Sequence, residues 1–297
     1  EDLISAVPDM DKLATLTGEQ VANIGSQDMN DEVWLKLAKR VNDLLASNKV
    51  DGVVITHGTD TMEETAYFLN LAVKSDKPVV LVGSMRPATA TSADGPANLY
   101  NAVAVAADPK ARGRGVLVVQ NDEIHSARNV EKMNTTNVQA FASPERGPQG
   151  LVNTGKIRWF EAPEKKHTAQ SEFAGKTPEQ LPRVDILYAY ANMSPDLITA
   201  AVNNGAKGLV IAGVGDGNFT KEAMAALEKE AKEKGVLVVR SSRVPTGVVL
   251  RNNEINDDKA GFVASGELSP AKSRVLAQLA LTETKDPKKV QKIFDEY

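Results

Sequence analysis

The sequence contains no cysteine and only three histidines among its 297 residues. Without cysteine there are no disulfide bonds, no thiolate catalysis and no zinc sites built on thiolates, although both reducing and oxidising compartments remain open. The three histidines, His57, His125 and His167, are scattered along the chain, and no H-E-x-x-H pair occurs. We therefore expect no metal site.

Long apolar runs and an excess of one charge are also missing. No run approaches the length of a membrane span, so we expect no membrane contact. The net charge is −4, with basic and acidic residues interspersed, so we expect no nucleic-acid partner. A composition of 42% hydrophobic and 25% charged residues is ordinary for a globular protein, and 297 residues favour two domains.

The chain begins with Glu1-Asp2-Leu3 and shows neither an initiator methionine nor a signal peptide. We therefore expect this sequence to start inside a longer precursor, and its first residues do not indicate a compartment.

Short β-branched runs alternate with helical patterns in the first half of the chain. Strands are predicted at 51–56, 78–83 and 115–120, and helices at 32–47, 63–73 and 96–107. This alternation is typical of a mostly parallel sheet flanked by helices.

A polar, proline-bounded stretch at 161–182 interrupts the pattern, which then resumes. Strands are predicted at 184–189, 208–213 and 236–240, and helices at 195–203, 220–233, 269–280 and 286–296. The prediction is an α/β protein with a larger N-terminal domain (1–160), a linker (161–182) and a smaller C-terminal α/β domain (183–297).

Residues 51–64 are the most informative stretch. The apolar run ends at a glycine and presents Thr59, Asp60 and Thr61 before a helical pattern, and Thr61 with Glu64 fits a capping box. Open α/β sheets bind ligands at the carboxyl ends of their strands, and a helix start adds positive potential. These side chains either bind a ligand or only cap the helix.

Two more polar turns are candidates. Ser26 and Gln27 could bind a carboxylate through a hydroxyl and an amide, or Ser26 and Asp28 could serve only the turn and the helix cap. Gly83-Ser-Met-Arg-Pro87 follows an apolar strand and shares the sheet edge with Thr59. Arg86 could anchor an acid or pin its loop through backbone carbonyls.

Three further positions have both a functional and an ordinary interpretation. Lys132 could act as a general base only if its surroundings favour the neutral amine, and a lysine in a polar stretch is usually solvated. Gly213-Val-Gly-Asp-Gly-Asn218 is not a dinucleotide fingerprint, and Asn218 is its clearest ligand group. Glu254, in a loop, is ordinarily surface charge.

Taken together, these segments resemble the bacterial type II L-asparaginases and glutaminase-asparaginases. The resemblance covers essentially the whole chain. It is carried by residues 25–30 (GSQDMN), 55–68 (ITHGTDTMEETAYF), 83–87 (GSMRP), 92–96 (SADGP), 99–102 (LYNA) and 240–247 (RSSRVPTG).

The resemblance implies hydrolysis of L-asparagine to L-aspartate and ammonia, with some L-glutamine hydrolysis and no cofactor. Thr59, Lys132 and Asp60 would form a hydrogen-bonded catalytic triad, and Asp60 would also hold the substrate ammonium. Ser26 and Gln27 would bind the amino-acid backbone, and the Ser84 carbonyl would face the side-chain amide.

Other implications concern assembly and compartment. Asn218 and Glu254 match residues that a neighbouring subunit contributes, which implies a homotetramer made of two intimate dimers. The type II resemblance also suggests the periplasm.

Three departures from the family are visible. The family's T-G-G-T-I-A motif, whose threonine is taken as the nucleophile, and a loop tyrosine both precede residue 1. We expect that segment in the protein, and intact mass tests this; without it the chain should be inactive and poorly folded. Some relatives carry a disulfide, which this chain cannot form. Asp216 replaces a familiar asparagine and is expected to alter substrate preference.

Two other functions stay open on sequence grounds. A related amidase component supplies ammonia for tRNA-dependent amidation, but it usually carries an additional domain and would turn over little free asparagine. A two-lobed amino-acid binding protein would bind asparagine and release no ammonia, and it would not need the Thr59, Asp60 and Lys132 set.

Overall fold

The computed structural model describes residues 2–176 and 178–297. It forms two compact units, Glu1–Thr177 and Pro178–Tyr297. Among the described residues, no helix combines the length and the apolar character that crossing a membrane requires.

The first unit holds four helices and eight strands within its described residues. The helices are α1 (Asp2–Ser5), α2 (Asp31–Ala46), α3 (Met62–Ala72) and α4 (Gly95–Ala107). The strands are β1 (Val53–Thr56), β2 (Val79–Val82), β3 (Val116–Gln120), β4 (Glu123–Ser126), β5 (Glu131–Lys132), β6 (Phe141–Ala142), β7 (Gly150–Asn153) and β8 (Lys156–Trp159).

The main sheet of this unit has the strand order β1-β2-β3-β4-β7-β8. The pairs β1–β2 and β2–β3 are parallel, whereas β3–β4, β4–β7 and β7–β8 are antiparallel. Every side chain of β2 and β3 is buried, so both faces of this parallel part are covered. That burial explains why these strands read as continuous β-branched runs rather than alternating ones.

Helix α2 packs against α3 through its apolar face. Trp34 stacks on Phe68 with ring centroids 5.2 Å apart, and the Trp34 indole nitrogen donates to the Thr65 hydroxyl at 2.8 Å. Leu45, rather than the neighbouring Leu44, completes the buried face. The contact fixes the start of α3, where the candidate site lies.

The second unit is built from four parallel strands in the order β12-β11-β10-β9. The strands are β9 (Val184–Tyr188), β10 (Gly208–Gly213), β11 (Leu237–Ser242) and β12 (Phe262–Ala264). The helices are α5 (Asp196–Asn203), α6 (Lys221–Lys234), α7 (Asp257–Ala260), α8 (Pro270–Glu283) and α9 (Pro287–Glu296).

The predicted α/β class with two domains is confirmed, and each predicted strand and helix has a counterpart within a few residues. Strands β4 to β8 and β12 were missed. The domain limits at 160 and 183 stay a prediction. The segment predicted as a linker contains a 3₁₀ turn, Thr168–Gln170, and the buried side chains His167 and Phe173.

Candidate active site

The site begins where β1 ends and α3 starts. The His57 amide donates to the Val82 carbonyl at 2.9 Å, so β1 and β2 stay paired one residue beyond the strand. Gly58, Thr59 and Asp60 then lead into α3. The predicted capping box is wrong: Thr61 occupies the N-cap, but its hydroxyl donates to the Ser26 carbonyl at 2.7 Å.

Three polar side chains meet at this edge. Lys132 Nζ donates to Thr59 Oγ1 at 2.9 Å and to Asp60 Oδ1 at 2.6 Å. The Lys132 side chain is 16% exposed, whereas that of Asp60 is 60% exposed. The lysine is therefore largely enclosed, while the carboxylate can meet a ligand from solvent.

Lys132 is held by its backbone as well as by its side chain. It lies on β5, which pairs antiparallel with β6 so that Lys132 faces Phe141. Its amide donates to the Glu63 carboxylate in the first turn of α3. This bond joins two segments far apart in sequence and places the amine over Thr59.

Ser26 completes this cluster from a 3₁₀ turn, Ser26–Asp28. Its side chain is buried, and its Oγ accepts a hydrogen bond from the Asp60 amide at 3.1 Å. The approach depends on Gly58, because a Cβ added there would lie 2.6 Å from Ser26 Oγ. Gln27 is exposed, and its amide lies 3.4 Å from the Asp28 carboxylate.

The end of β2 lies against the same loop. A Cβ added to Gly83 would lie 3.1 Å from Thr59 Cγ2 and 2.5 Å from the His57 carbonyl, so the two strand ends touch. Ser84 follows Gly83 and is exposed. The Arg86 guanidinium donates to the Ser92 carbonyl at 2.8 Å, which is the loop-pinning arrangement.

Asn98, buried on α4, holds this edge together. Its amide donates to the Gly83 carbonyl at 3.1 Å and to the Gln120 side chain at 2.7 Å, and its oxygen accepts from the Asn121 amide at 3.1 Å. One helical side chain thus ties the ends of β2 and β3. Asp94, one turn earlier, accepts from the amides of Met85 and Arg86, at 2.9 Å each.

His57 supports α3 beneath the triad. Its Nε2 lies 2.9 Å from Thr65 Oγ1 and its Nδ1 lies 2.6 Å from the Gly58 carbonyl. Burial lowers the pKa of His57 below its usual 6.5, with the Gly58 carbonyl opposing the shift. The imidazole is therefore neutral at neutral pH.

Beside the triad lies an open cavity of about 340 Å³, lined by Asp60, Lys132, Met133, Asn134 and Thr135. Its size suits a small molecule. Across the part of the chain that the structure describes, no group of three or more metal-ligating side chains occurs.

The second unit brings Asn218 and Glu254 together. The Asn218 amide donates to the Glu254 carboxylate, although 36 residues separate them. Asn218 follows β10 in the glycine loop, and Glu254 lies in the loop beyond β11. The structure therefore places Thr59, Asp60, Lys132 and Ser26 in one cluster in the first unit, and Asn218 with Glu254 in a pair in the second.

A buried ion pair positions the loops that carry this second pair. Arg240 is fully buried and forms two bonds to the Asp257 carboxylate, at 2.6 and 2.8 Å. The same guanidinium donates to the Asp216 carbonyl at 2.8 Å and the Leu250 carbonyl at 3.0 Å. Both loops are therefore bound to one side chain.

The Asp216 carboxylate fastens the two loops directly to each other. It accepts from the Leu250 amide at 2.7 Å and from the Asn253 side chain at 2.9 Å. The Asp216 carboxylate therefore holds together the two loops that carry Asn218 and Glu254. The sequence pattern did not show this role.

Sequence reasoning missed Glu63, Asn98 and Arg240 as positioning residues. Glu63 looked like an ordinary acid at a helix start, which it also is. Asn98 left a signal, because asparagine is unfavourable inside helices unless its side chain has partners. Arg240 also has a sequence signal, because an arginine inside an apolar strand needs a buried acid.

Comparisons with known proteins agree with this architecture. The family model described as "Asparaginase, N-terminal" matches residues 1–165. The family model described as "Glutaminase/Asparaginase C-terminal domain" matches residues 183–294. The chain is 57% identical over 297 residues to a probable periplasmic L-asparaginase of Haemophilus influenzae, covering 100% of this chain and 84% of that protein.

Two other relatives span the chain equally well. L-asparaginase 2 of Escherichia coli is 55% identical over 100% of this chain and 84% of its own length. Glutaminase-asparaginase of Pseudomonas fluorescens is 51% identical over 100% of this chain and 82% of its own length. Both halves of the chain match the family, and the chain is more than 50% identical to each of these three relatives. The chain therefore belongs to the asparaginase/glutaminase family.

Proposed function

We propose that this protein hydrolyses the side-chain amide of L-asparagine to L-aspartate and ammonia, with L-glutamine as a second substrate. The observation that carries the proposal is the contact of one lysine amine with both a hydroxyl and a carboxylate, Thr59 and Asp60, at the edge of the sheet. The names of the relatives, L-asparaginase and glutaminase-asparaginase, support the same substrates.

The chemistry assigned to the triad is proton transfer in a threonine-based mechanism. In its neutral amine form, Lys132 takes the proton of the Thr59 hydroxyl, or of a water molecule bound through it, across the 2.9 Å that separate Nζ from Oγ1. An ammonium held at Asp60 competes with Lys132 for the carboxylate, which the lysine contacts at 2.6 Å. The start of α3 adds positive potential where the amide oxygen becomes negative.

Substrate recognition follows from opposite charges at the two ends of an amino acid. Asp60, which is 60% exposed, holds the α-ammonium. Ser26 binds the α-carboxylate, and Gln27 adds a further contact to the amino-acid backbone. The Ser84 carbonyl faces the side-chain amide. Recognition needs only side-chain and backbone groups, and no cofactor takes part.

The proposal extends to assembly and location. Asn218 and Glu254 complete the site of a neighbouring subunit in a homotetramer made of two dimers. The periplasm is the proposed compartment, supported by the printed name of the Haemophilus relative. The domain limits proposed are 1–160 and 183–297.

The test is a coupled ammonia assay on the full-length protein with L-asparagine and L-glutamine. Thr59→Ala should lose nearly all ammonia release, whereas Thr199→Ala, an exposed threonine on α5, should retain it. Undiminished ammonia release by Thr59→Ala would refute the role of Thr59. Calorimetric asparagine binding without any ammonia from the native protein would instead identify a binding protein.

A further inference from the structure

Met133 is the most accessible of the seven methionines in the chain. It is 45% exposed, whereas three others are at most 3% exposed, namely Met10, Met62 and Met193. The remaining three are partly buried: Met29, Met85 and Met224. The chain has no cysteine, so thioethers are its sulfur groups and Met133 is the one most open to an oxidant in solution.

The chain leaves the regular strand pattern at Met133. The amides of Met133 and Asn134 both donate to the Ala140 carbonyl, at 2.7 and 3.2 Å. Two residues therefore face one, which is the arrangement of a β-bulge at the end of the β5–β6 pair. A regular strand points successive side chains to opposite faces, whereas here four consecutive residues, 132–135, line one cavity of about 340 Å³. The bulge thus brings an exposed thioether into the cavity that holds Lys132.

The backbone on both sides of Met133 is held in place. On one side, the Lys132 amide donates to the Glu63 carboxylate in the first turn of α3. On the other side, the Asn134 side-chain oxygen accepts from the amides two and three residues later, at 2.9 and 2.8 Å. Met133 is therefore anchored beside the lysine, and a chemical change at its sulfur acts within the catalytic cavity.

Oxidation of a thioether by a peroxide is a balanced two-electron step. A sulfur lone pair attacks one oxygen of hydrogen peroxide or of an alkyl hydroperoxide, the O–O bond breaks and an S–O bond forms. The proton of the transferred oxygen passes to the departing one, so the peroxide is reduced to water or to an alcohol. Methionine sulfoxide reductases reverse the step with a thiol reductant, one enzyme for each sulfoxide epimer.

The sulfoxide changes the cavity in shape and in polarity. A thioether is a weak hydrogen-bond acceptor, whereas the sulfoxide oxygen makes the side chain polar. The substrate ammonium assigned to Asp60 gains a competing partner, and the added oxygen occupies space in the same cavity. Misplacing a reacting group by about 1 Å costs roughly 100-fold in rate.

We propose that Met133 is a reversible oxidation site through which peroxides lower the activity of the Thr59, Asp60 and Lys132 cluster. The loss of activity rests on the amide hydrolysis proposed above, whereas the selective oxidation of Met133 does not. The two parts are therefore measured separately.

The experiment treats the full-length protein with increasing amounts of hydrogen peroxide. Peptide mass spectrometry follows the oxygen added at each methionine, and ammonia release from L-asparagine is measured on the same samples. Met133 should be oxidised before the other six, and kcat/KM should fall by about tenfold in step with it. Reductases for both sulfoxide epimers should restore the activity.

Variants assign the effect to one sulfur, each compared with its own untreated sample. Met133→Leu removes the thioether at similar volume and should lose less than about twofold of its activity at the same peroxide dose. Met224→Leu, which removes a partly buried thioether of α6, should remain as sensitive as the native protein. Met133→Gln, which carries a polar oxygen without oxidation, should start with a lower kcat/KM than Met133→Leu.

Three results would overturn the proposal. The first is oxidation of another methionine ahead of Met133. The second is native activity in a sample whose Met133 is fully converted to sulfoxide. The third is equal peroxide sensitivity of Met133→Leu and the native protein. If the untreated protein releases no ammonia, the function proposed above fails by itself. Calorimetric binding of L-asparagine then replaces activity, and binding that Met133 oxidation leaves unchanged would refute the proposal.

Discussion

Replacing Gly58 with alanine tests the close approach on which the site depends. The added Cβ would lie 2.6 Å from Ser26 Oγ and 2.9 Å from Ser26 Cβ, whereas ordinary contact begins at 3.4 Å. Ser26 must therefore retreat by about 0.8 Å, which breaks its 3.1 Å bond with the Asp60 amide. Gly58 is needed for space, since its φ is not positive.

The expected cost falls mainly on activity. Displacing a substrate-positioning group by about 1 Å costs roughly 100-fold in rate, and overpacking costs about 1–3 kcal/mol of stability. The assay is kcat/KM for L-asparagine by ammonia release, with unfolding in urea measured in parallel. Gly95→Ala is the control, because its Cβ would meet Ser84 at an ordinary 3.4 Å. Activity of Gly58→Ala within threefold of native would refute the reasoning.

Three further outcomes follow from the positioning groups. Asp216→Asn keeps only one of the two side-chain oxygens that accept from the Leu250 amide and the Asn253 side chain. KM for asparagine should therefore rise about fivefold while kcat changes little. An unchanged KM would contradict the role of Asp216 in joining the two loops. Arg240→Met leaves Asp257 buried without its cation, and urea unfolding should show a loss of about 3–5 kcal/mol, with a loss below 1 kcal/mol as the contrary result. Burial lowers the pKa of His57 and His167 below 6.5, so the unfolded chain binds more protons below that pH and stability should fall on acidification from about pH 7 to 5.5. His57→Gln should reduce this fall, and an identical slope in that variant counts against it.

The sequence predicted the main strands and helices because their signals are local. The runs that became β2 and β3 are buried on both faces and therefore continuously apolar. The β3–β4 and β7–β8 hairpins were missed for an equally local reason: each of these two loops has only two residues. Asn121 with Asp122, and Thr154 with Gly155, all have positive φ, the conformation of tight hairpin turns.

The residues of the candidate site also differ in how far the sequence could predict them. Thr59 and Asp60 were visible from the residues alone, since they follow a strand and precede a helix. Lys132 was not, because it lies 72 residues from Asp60 on a two-residue strand, and only the family resemblance singled it out. The apolar strand around Arg240 indicates that the arginine needs a buried acid, but which acid it meets, like the bonds of Asp216, depends on how distant loops come together.

The central claim is that Thr59 and Lys132 act as one proton-transfer unit, and a double-mutant cycle tests it most directly. Ammonia release from L-asparagine would be measured for the native full-length protein, Thr59→Ala, Lys132→Met and the double variant. Each single change should lower kcat by about 100- to 10,000-fold. The double variant should be no less active than the less active of the two single variants. Losses that multiply, or a Lys132→Met variant that keeps native activity, would contradict the claim.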